Sequence, residues 1–261
     1  MICRVPTVVC NVRSKASRWR YALQLGVVLT VLAVSLAMMS VSDAVNGGSG
    51  AKAFLVGRMA LLILVCTWFL RRGGERWADL GLRRPPRWWV VPLLVVGGFA
   101  AVVTMSSFMV NSLLPALDVP PPKLGFLARF DGSAEFLFFL IAVAWGSAAF
   151  GEEMLLRGFV LDRISKLANS SGTAVMVAAI FLQGPLFGLF HLYQGLGGVL
   201  VTSAIGIIFG FVWLIGGRNL WACIVLHGLI NTISFSEAYS RGPAAHPPVV
   251  QQNSAPPGHA A

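Results

Sequence analysis

AEFLFFLIAVAWGSAAFGEEMLLR, residues 134–157, ends a long apolar run with two adjacent carboxylates and an arginine. Charged groups are expensive in hydrocarbon and are usually kept there because a site needs them. If the helix continues through this stretch, Arg157 lies one turn beyond Glu153 on the same face and holds it ionised. Glu152 then projects about 100° away, free to accept a proton. The alternative is a charge cluster that ends a membrane span at the interface.

The composition is that of a membrane protein. The chain has 261 residues, of which 56% are hydrophobic and 11% charged, with a mean hydropathy of +0.76. Soluble domains carry about 25% charged residues. The net charge is +10, but the basic residues cluster at the ends of apolar runs, as the positive-inside rule requires. We therefore predict no nucleic-acid binding, since no motif for it accompanies the charge.

Seven apolar runs approach or exceed the roughly 17–25 residues that a helix needs to cross a bilayer. They are residues 21–41, 53–70, 88–113, 134–150, 173–192, 198–216 and 220–235. An eighth span is possible if the third run is split. The sequence predicts an all-α fold, a multi-pass transmembrane helical bundle in the lipid bilayer of the cell membrane.

Lysine and arginine are concentrated in alternate linkers, which sets the predicted orientation. The segment before the first span and the linker at residues 71–87 are the richest in basic residues. This pattern predicts a cytoplasmic N-terminus and, with seven spans, an external C-terminus. The first span follows a basic segment and is longer than a signal-peptide core, so we expect a retained signal anchor.

Two further polar pairs interrupt later apolar runs. Phe187 and His191 are four residues apart near the end of the fifth run, and His227 and Asn231 have the same spacing in the seventh. That spacing puts both members of a pair on one helix face. Such groups need a polar cavity or partners inside a membrane. A hydrogen-bonded packing role is the alternative for His191, and an interhelical hydrogen-bonded pair for His227 with Asn231.

Together these motifs resemble the CPBP family of intramembrane proteases, which includes the CAAX prenyl endopeptidase and the bacterial Abi proteins. The family motifs are Glu-Glu-x-x-x-Arg, Phe-x-x-x-His and His-x-x-x-Asn or Asp. They stand here in order at residues 152–157, 187–191 and 227–231, each on its own predicted helix. The resemblance covers about residues 134–236, and Asp79-Leu-Gly-Leu82 is a weaker echo.

The resemblance implies a catalytic role for each motif residue. Glu152 with His191 would activate a water molecule for attack on a peptide carbonyl. His227 and Asn231 would donate hydrogen bonds to the developing oxyanion, a stabilisation of several kcal/mol in a dry site. The implied substrate is a peptide or a membrane protein.

The remaining motif residues and the cofactor follow from the same resemblance. Glu153 and Arg157 would orient the helix and tune the pKa of Glu152. Whether a metal takes part stays open, because Glu152, His191 and His227 are also a possible ligand set for zinc with one open position. No HExxH motif is present, which excludes a conventional zincin helix.

The predicted organisation has four parts. Residues 1–20 form a basic cytoplasmic tail, 21–133 the N-terminal transmembrane helices with an interfacial linker, 134–236 the catalytic core, and 237–261 a disordered tail. The favoured function is an intramembrane endopeptidase. The rivals are an ion- or proton-coupled transporter and a non-catalytic membrane scaffold or immunity protein of the same family.

Three expectations concern geometry. A straight fifth helix from Thr173 puts His191 roughly 27 Å along its axis, far from a Glu152 that ends the fourth span near the cytoplasm. One continuous helix over residues 134–167 would instead place Glu152 near its middle and ease this conflict. Arg58, inside the second span, is expected to snorkel to the interface, with a counter-ion role as the alternative. The spacing of Gly206 and Gly210 predicts close helix packing.

Overall fold

The structure, a computed structural model, describes residues 15–46, 49–123 and 134–241. This described part is all-α, as predicted, and contains seven helices once contiguous segments are joined. They are α1 (Lys15–Asn46), α2 (Ser49–Arg72), α3 (Val90–Ala116), α4 (134–167), α5 (Thr173–Leu189), α6 (Gly195–Ile215) and α7 (Trp221–Arg241). Much of the predicted C-terminal tail, residues 242–261, lies outside the described residues, as does most of the basic N-terminal segment.

Helix α4 is continuous, which resolves the distance conflict in favour of the longer helix. It begins and ends with α-helical turns at Ala134–Val143 and Leu161–Leu167. Two π-helical segments, Ala144–Glu152 and Met154–Val160, lie between them. Glu152 is therefore near the middle of the helix. Wide π-helical turns are rare and occur mostly at functional sites, and here they carry the acidic motif.

Three helical stretches are long and apolar enough to cross a membrane by length and composition, among the residues that the structure describes. They are Arg18–Met38, Val90–Ala116 and Leu192–Ile215. Thr173–Leu189 is apolar but shorter. The other predicted spans are helical but hold buried polar groups, such as Arg58 in α2 and Glu152 in α4. The count of seven spans and their orientation stay predictions.

The middle of α4 is the centre of the bundle. Every residue from 151 to 161 is buried, so this part of the helix packs on all sides, as a core helix does. Met154 and Leu161 contact a hydrophobic cluster formed with α3, α5, α6 and α7. Leu156 and Phe159 belong to a second cluster with α1 and α2. Any charged side chain in this stretch must find its partners inside the protein.

Glycines allow α5 and α6 to pack closely, which confirms the packing predicted for the Gly206–Gly210 spacing. A Cβ atom on Gly206 would lie 2.9 Å from the Cβ of Phe187, and one on Gly210 would lie 2.6 Å from Ile180 Cγ2. On α5, a Cβ on Gly188 would lie 2.5 Å from the carbonyl oxygen of Val199. The close approach brings the backbone of α6 next to the motif on α5.

The Asp79-Leu-Gly-Leu82 segment docks the turn between α6 and α7. Gly81 has φ +108°, and its carbonyl accepts a hydrogen bond of 3.1 Å from the backbone N–H of Leu220. The side chain of Asn219 donates to the carbonyl of Arg83 at 2.7 Å. A glycine is required because its φ lies in the left-handed region and it closely approaches the Arg218 carbonyl. This segment, the weaker part of the sequence resemblance, therefore has a structural role at the start of α7.

A buried ionic cluster ties the end of α4 to the segment after α2. Arg163 is fully buried and donates to Glu75 at 2.6 Å and to Asp162 at 2.7 Å. Lys166 contacts both of these carboxylates. Burial on its own raises the pKa of Glu75, but the hydrogen bonds from Arg163 and Lys166 and their charges outweigh it and lower that pKa below its usual value. The ionised cluster therefore stabilises the fold at neutral pH.

Replacing Glu75 by glutamine is expected to lower the free energy of unfolding by about 3 kcal/mol at pH 7, because Arg163 loses one of its two carboxylates. A lowered pKa gives stability that is present above the unfolded-state value, about 4.3, and lost as the pH falls through the folded-state value. Thermal unfolding in detergent from pH 7 to pH 3 would therefore show the gap between wild type and Glu75→Gln closing below about pH 4.3. A gap that stays constant over this range would contradict the charge-based account.

Candidate active site

Glu153 is the hub of a buried hydrogen-bond network. Its Oε1 accepts from Arg157 Nη1 at 3.0 Å and from His227 Nδ1 at 2.9 Å. Glu153 and Arg157 have no exposed side-chain surface. Arg157 Nη2 also donates to the carbonyl of Gly206 at 2.9 Å. The expected Glu153–Arg157 pair is thus present, and it also binds α7 through His227 and α6 through Gly206.

Two phenylalanine rings enclose the Arg157 guanidinium. Its Cζ lies 4.7 Å from the centroid of the Phe187 ring and 5.2 Å from that of Phe209. Both rings also lie against the His227 imidazole, at 5.9 and 5.4 Å between centroids. Cation–π contacts gain strength when the cation is desolvated. The first motif is held in place by the aromatic residue of the second and by Phe209, which belongs to no motif.

Glu152 differs from its neighbour because no hydrogen bond joins its carboxylate to any of the described residues. The side chain is 7% exposed, and its Oε2 has no hydrogen-bond partner within the described part of the chain. The charged groups that act on it are His227, Arg58, Glu153 and Arg157. Glu153 Oε1 accepts two hydrogen bonds, whereas none reaches Glu152 from the described residues.

His191 lies where α5 ends, with its ring half-buried. Its Nδ1 lies 3.2 Å from the carbonyl oxygen of Phe187. A carbonyl only accepts, so Nδ1 carries the hydrogen and donates it, which leaves Nε2 as the lone-pair nitrogen. No hydrogen bond joins His191 to Glu152 among the described residues. Both residues instead have Arg58 and His227 as common electrostatic neighbours.

The second histidine is oriented in the same way. His227 Nδ1 donates to the Glu153 carboxylate, so the neutral ring also has its lone pair on Nε2. Asn231 lies one helical turn beyond His227 and is half-buried. A neutral His227 has given its single ring N–H to Glu153. The N–H donors that the third motif can still offer to a substrate are therefore those of the Asn231 amide.

Arg58 does not snorkel. Its side chain is 7% exposed, and its Cζ lies 5.5 Å from the centroid of the Phe190 ring. Nε and Nη1 have no hydrogen-bond partner among the described residues. Snorkelling requires a path to the headgroups, but α2 packs between α1 and α4 here and turns this residue inwards. The counter-ion alternative is the one that agrees with its position.

Trp145 and Gly228 set the contact between α4 and α7. The indole Nε1 of Trp145 donates to Thr232 Oγ1 at 3.0 Å. A Cβ on Gly228 would lie 2.6 Å from three atoms of the same indole ring. Only a glycine lets the ring lie flat against α7 at this point. The contact fixes the helix one residue beyond His227, and the motifs contain no signal for it.

The predicted ligand set for a metal does not fit the geometry. Among the described residues, no three side chains of histidine, cysteine, aspartate or glutamate are placed to hold one ion. Glu152, His191 and His227 therefore do not form a three-ligand zinc centre in this arrangement.

Comparison with known proteins finds one family. Residues 134–233 match the sequence model described as type II CAAX prenyl endopeptidase Rce1-like. The match begins with α4 and includes all three motifs. No curated protein matches the chain, and no solved structure does.

Proposed function

We propose that the chain is a membrane-embedded endopeptidase, because residues 134–233 match the sequence model described as type II CAAX prenyl endopeptidase Rce1-like. The observation that carries this proposal is the contrast between two adjacent glutamates. Glu153 accepts hydrogen bonds from Arg157 and His227 through Oε1, whereas Glu152 is buried beside it and accepts none from the described residues. Such an asymmetry divides two carboxylates into a structural group and a general base.

In the proposed reaction, Glu152 accepts a proton from a water molecule as the water oxygen attacks the peptide carbonyl carbon. The lone pair on His191 Nε2 orients the same water from the end of α5. Glu152 then returns the proton to the leaving nitrogen as the C–N bond breaks. The Asn231 amide donates to the substrate oxygen. Each of these steps is carried by groups of this chain.

The paired residues have a supporting role in this proposal. Glu153 fixes the His227 ring and the Arg157 guanidinium, and these hold α4, α6 and α7 at constant separation around the site. Active-site groups must stay within about 0.5 Å of their productive positions, and hydrogen bonds that link three helices in the interior restrict their movement. We propose placement in the cell membrane with a cytoplasmic N-terminus.

The proposal is tested by incubating purified protein in nanodiscs with a mixed library of peptides and membrane proteins. Wild type, Glu152→Ala and His227→Ala are run side by side, with and without a chelator, and products are identified by mass spectrometry. We expect products from the wild type alone, at the same level with the chelator. Identical products from all three proteins would contradict the proposal, and loss of products only with the chelator would assign the chemistry to a metal.

A further inference from the structure

Arg58 is the feature of the molecule that the proposed reaction leaves without a function. It lies on α2, outside the residues that match the family. It is nine-tenths buried, and two of its nitrogen atoms lack partners within the described part of the chain. A guanidinium stays charged at any working pH, so this is a buried cation without a hydrogen-bonded counter-ion.

The other two buried arginines, Arg157 and Arg163, both have hydrogen-bonded carboxylate acceptors. Arg157 has Glu153 and the carbonyl of Gly206 as acceptors, and Arg163 has two carboxylates. An unpaired charge in the interior costs several kcal/mol. The protein meets this cost with acceptors at two arginines but not at Arg58. An unmet buried charge on an otherwise apolar helix points to a ligand.

The neighbours of Arg58 are the groups of the proposed reaction. Its charge acts on Glu152 and Tyr193, and it is also among the groups acting on His191. No ion pair within 4.0 Å joins Arg58 to Glu152 in the described chain, although a nitrogen of one and an oxygen of the other lack partners. Arg58 thus lies beside the end of α5, with its Cζ 5.5 Å from the centroid of the Phe190 ring, and forms no ion pair with Glu152.

The proposed chemistry moves negative charge across this space. Before reaction the charge is on Glu152, and after proton transfer it is on the former carbonyl oxygen of the substrate. Arg157 is fixed in place, because Glu153 and the Gly206 carbonyl bind both of its terminal nitrogen atoms. His227 in its neutral form has given its N–H to Glu153. Arg58 is a cation with free donors near the start of this movement.

Resting on the proposed function, we propose that Arg58 is a further catalytic residue, whose N–H groups bind the oxyanion of the tetrahedral intermediate. A bond forms between the water oxygen and the carbonyl carbon while the water O–H breaks and its proton goes to Glu152. The carbonyl π pair moves to the oxygen, which Arg58 and Asn231 bind. When the C–N bond breaks, that pair reforms the carbonyl and the proton passes to the amine.

The test compares Arg58→Gln and Arg58→Lys with wild type on the peptide cleaved best in the library. Loss of one oxyanion donor costs about 10²–10³-fold in kcat, so we expect Arg58→Gln to lose that much with KM within a few-fold. Arg58→Lys keeps the charge with a different donor geometry, and its kcat is expected to lie between those of wild type and Arg58→Gln. Arg72→Gln, on the same helix but exposed, is the matched control and should keep the wild-type kcat.

A second readout separates catalysis from structure. A phosphinate analogue of the same peptide presents a tetrahedral anion in place of the scissile amide. Its affinity should fall in Arg58→Gln by about the factor lost in kcat/KM, because transition-state analogues follow transition-state binding. Circular dichroism and elution in detergent check the fold, and if the glutamine variant does not fold, the lysine variant carries both measurements.

The outcomes distinguish this inference from its premise. Wild-type kcat in folded Arg58→Gln, with activity lost in Glu152→Gln, overturns the role of Arg58 alone. Unchanged phosphinate affinity despite a lower kcat also overturns it, because Arg58 would then not bind the anion. Cleavage that survives Glu152→Gln overturns the proposed function and this inference with it.

Discussion

Replacing Glu152 by glutamine is expected to lower kcat for peptide hydrolysis by about 10³–10⁴-fold, at the upper end of what a general base contributes. Glutamine has nearly the same shape but cannot accept the proton. The free energy of unfolding should stay the same or rise, because the wild-type carboxylate is buried with Oε2 unpartnered and an unpaired buried charge destabilises a fold. Single-turnover cleavage and unfolding in detergent measure the two effects on the same preparation.

Glu152→Asp is the control for this substitution. It keeps a proton acceptor but withdraws it by one methylene, so its kcat should lie between those of wild type and Glu152→Gln. Intermediate activity assigns the loss to proton transfer rather than to a change in packing. A Glu152→Gln protein that cleaves at the wild-type rate would remove Glu152 from the mechanism.

The sequence predicted the Glu153–Arg157 pair and the close packing of α5 on α6, because both signals are local. The i,i+4 spacing of Glu153 and Arg157 is enough to predict their pairing on one helix face, and the pair is present at 3.0 Å. The Gly206–Gly210 spacing likewise led to the close packing of α5 on α6. Such predictions need only the helical period and the cost of a charge in hydrocarbon.

Features that depend on contacts between helices were not predictable. The carbonyl oxygen of Gly206 and the ring of Phe209 both contact the Arg157 guanidinium. Both residues belong to an apolar helix whose sequence gives no sign of these contacts. The inward direction of Arg58 depends on how α2 packs between its neighbours. The same charge on an outer face would snorkel, so its sequence context alone gave the wrong role.

The π-helical turns of α4 are a further feature that the sequence did not predict. A change in hydrogen-bond register along one helix has no residue signature comparable to a proline kink or a cap. Glu152 ends the first π-helical segment, and Glu153 lies between the two segments. The sequence predicted the pairing of Glu153 with Arg157, but neither these turns nor the further hydrogen bond from His227.

Replacing Glu153 by glutamine is expected to lower the stability of the protein, whereas Glu152→Gln leaves it unchanged or raises it. The guanidinium of Arg157 stays charged and fully buried, and the N–H of His227 loses a charged acceptor. Breaking a buried pair by removing one partner costs about 3–5 kcal/mol, so the midpoint of unfolding in detergent should fall clearly. Activity should fall as well, because α4, α6 and α7 lose their common anchor.

A double-mutant cycle with Arg157→Met distinguishes a specific pair from general damage. Removing both charges leaves no buried ion, so the double variant should be more stable than either single variant. Its stability should recover while its activity stays low, because His227 is still released. Additive losses would mean that the pair is not coupled. Opposite stability changes at residues 152 and 153, with activity lost at both, would establish that one carboxylate performs the chemistry and the next one maintains the site.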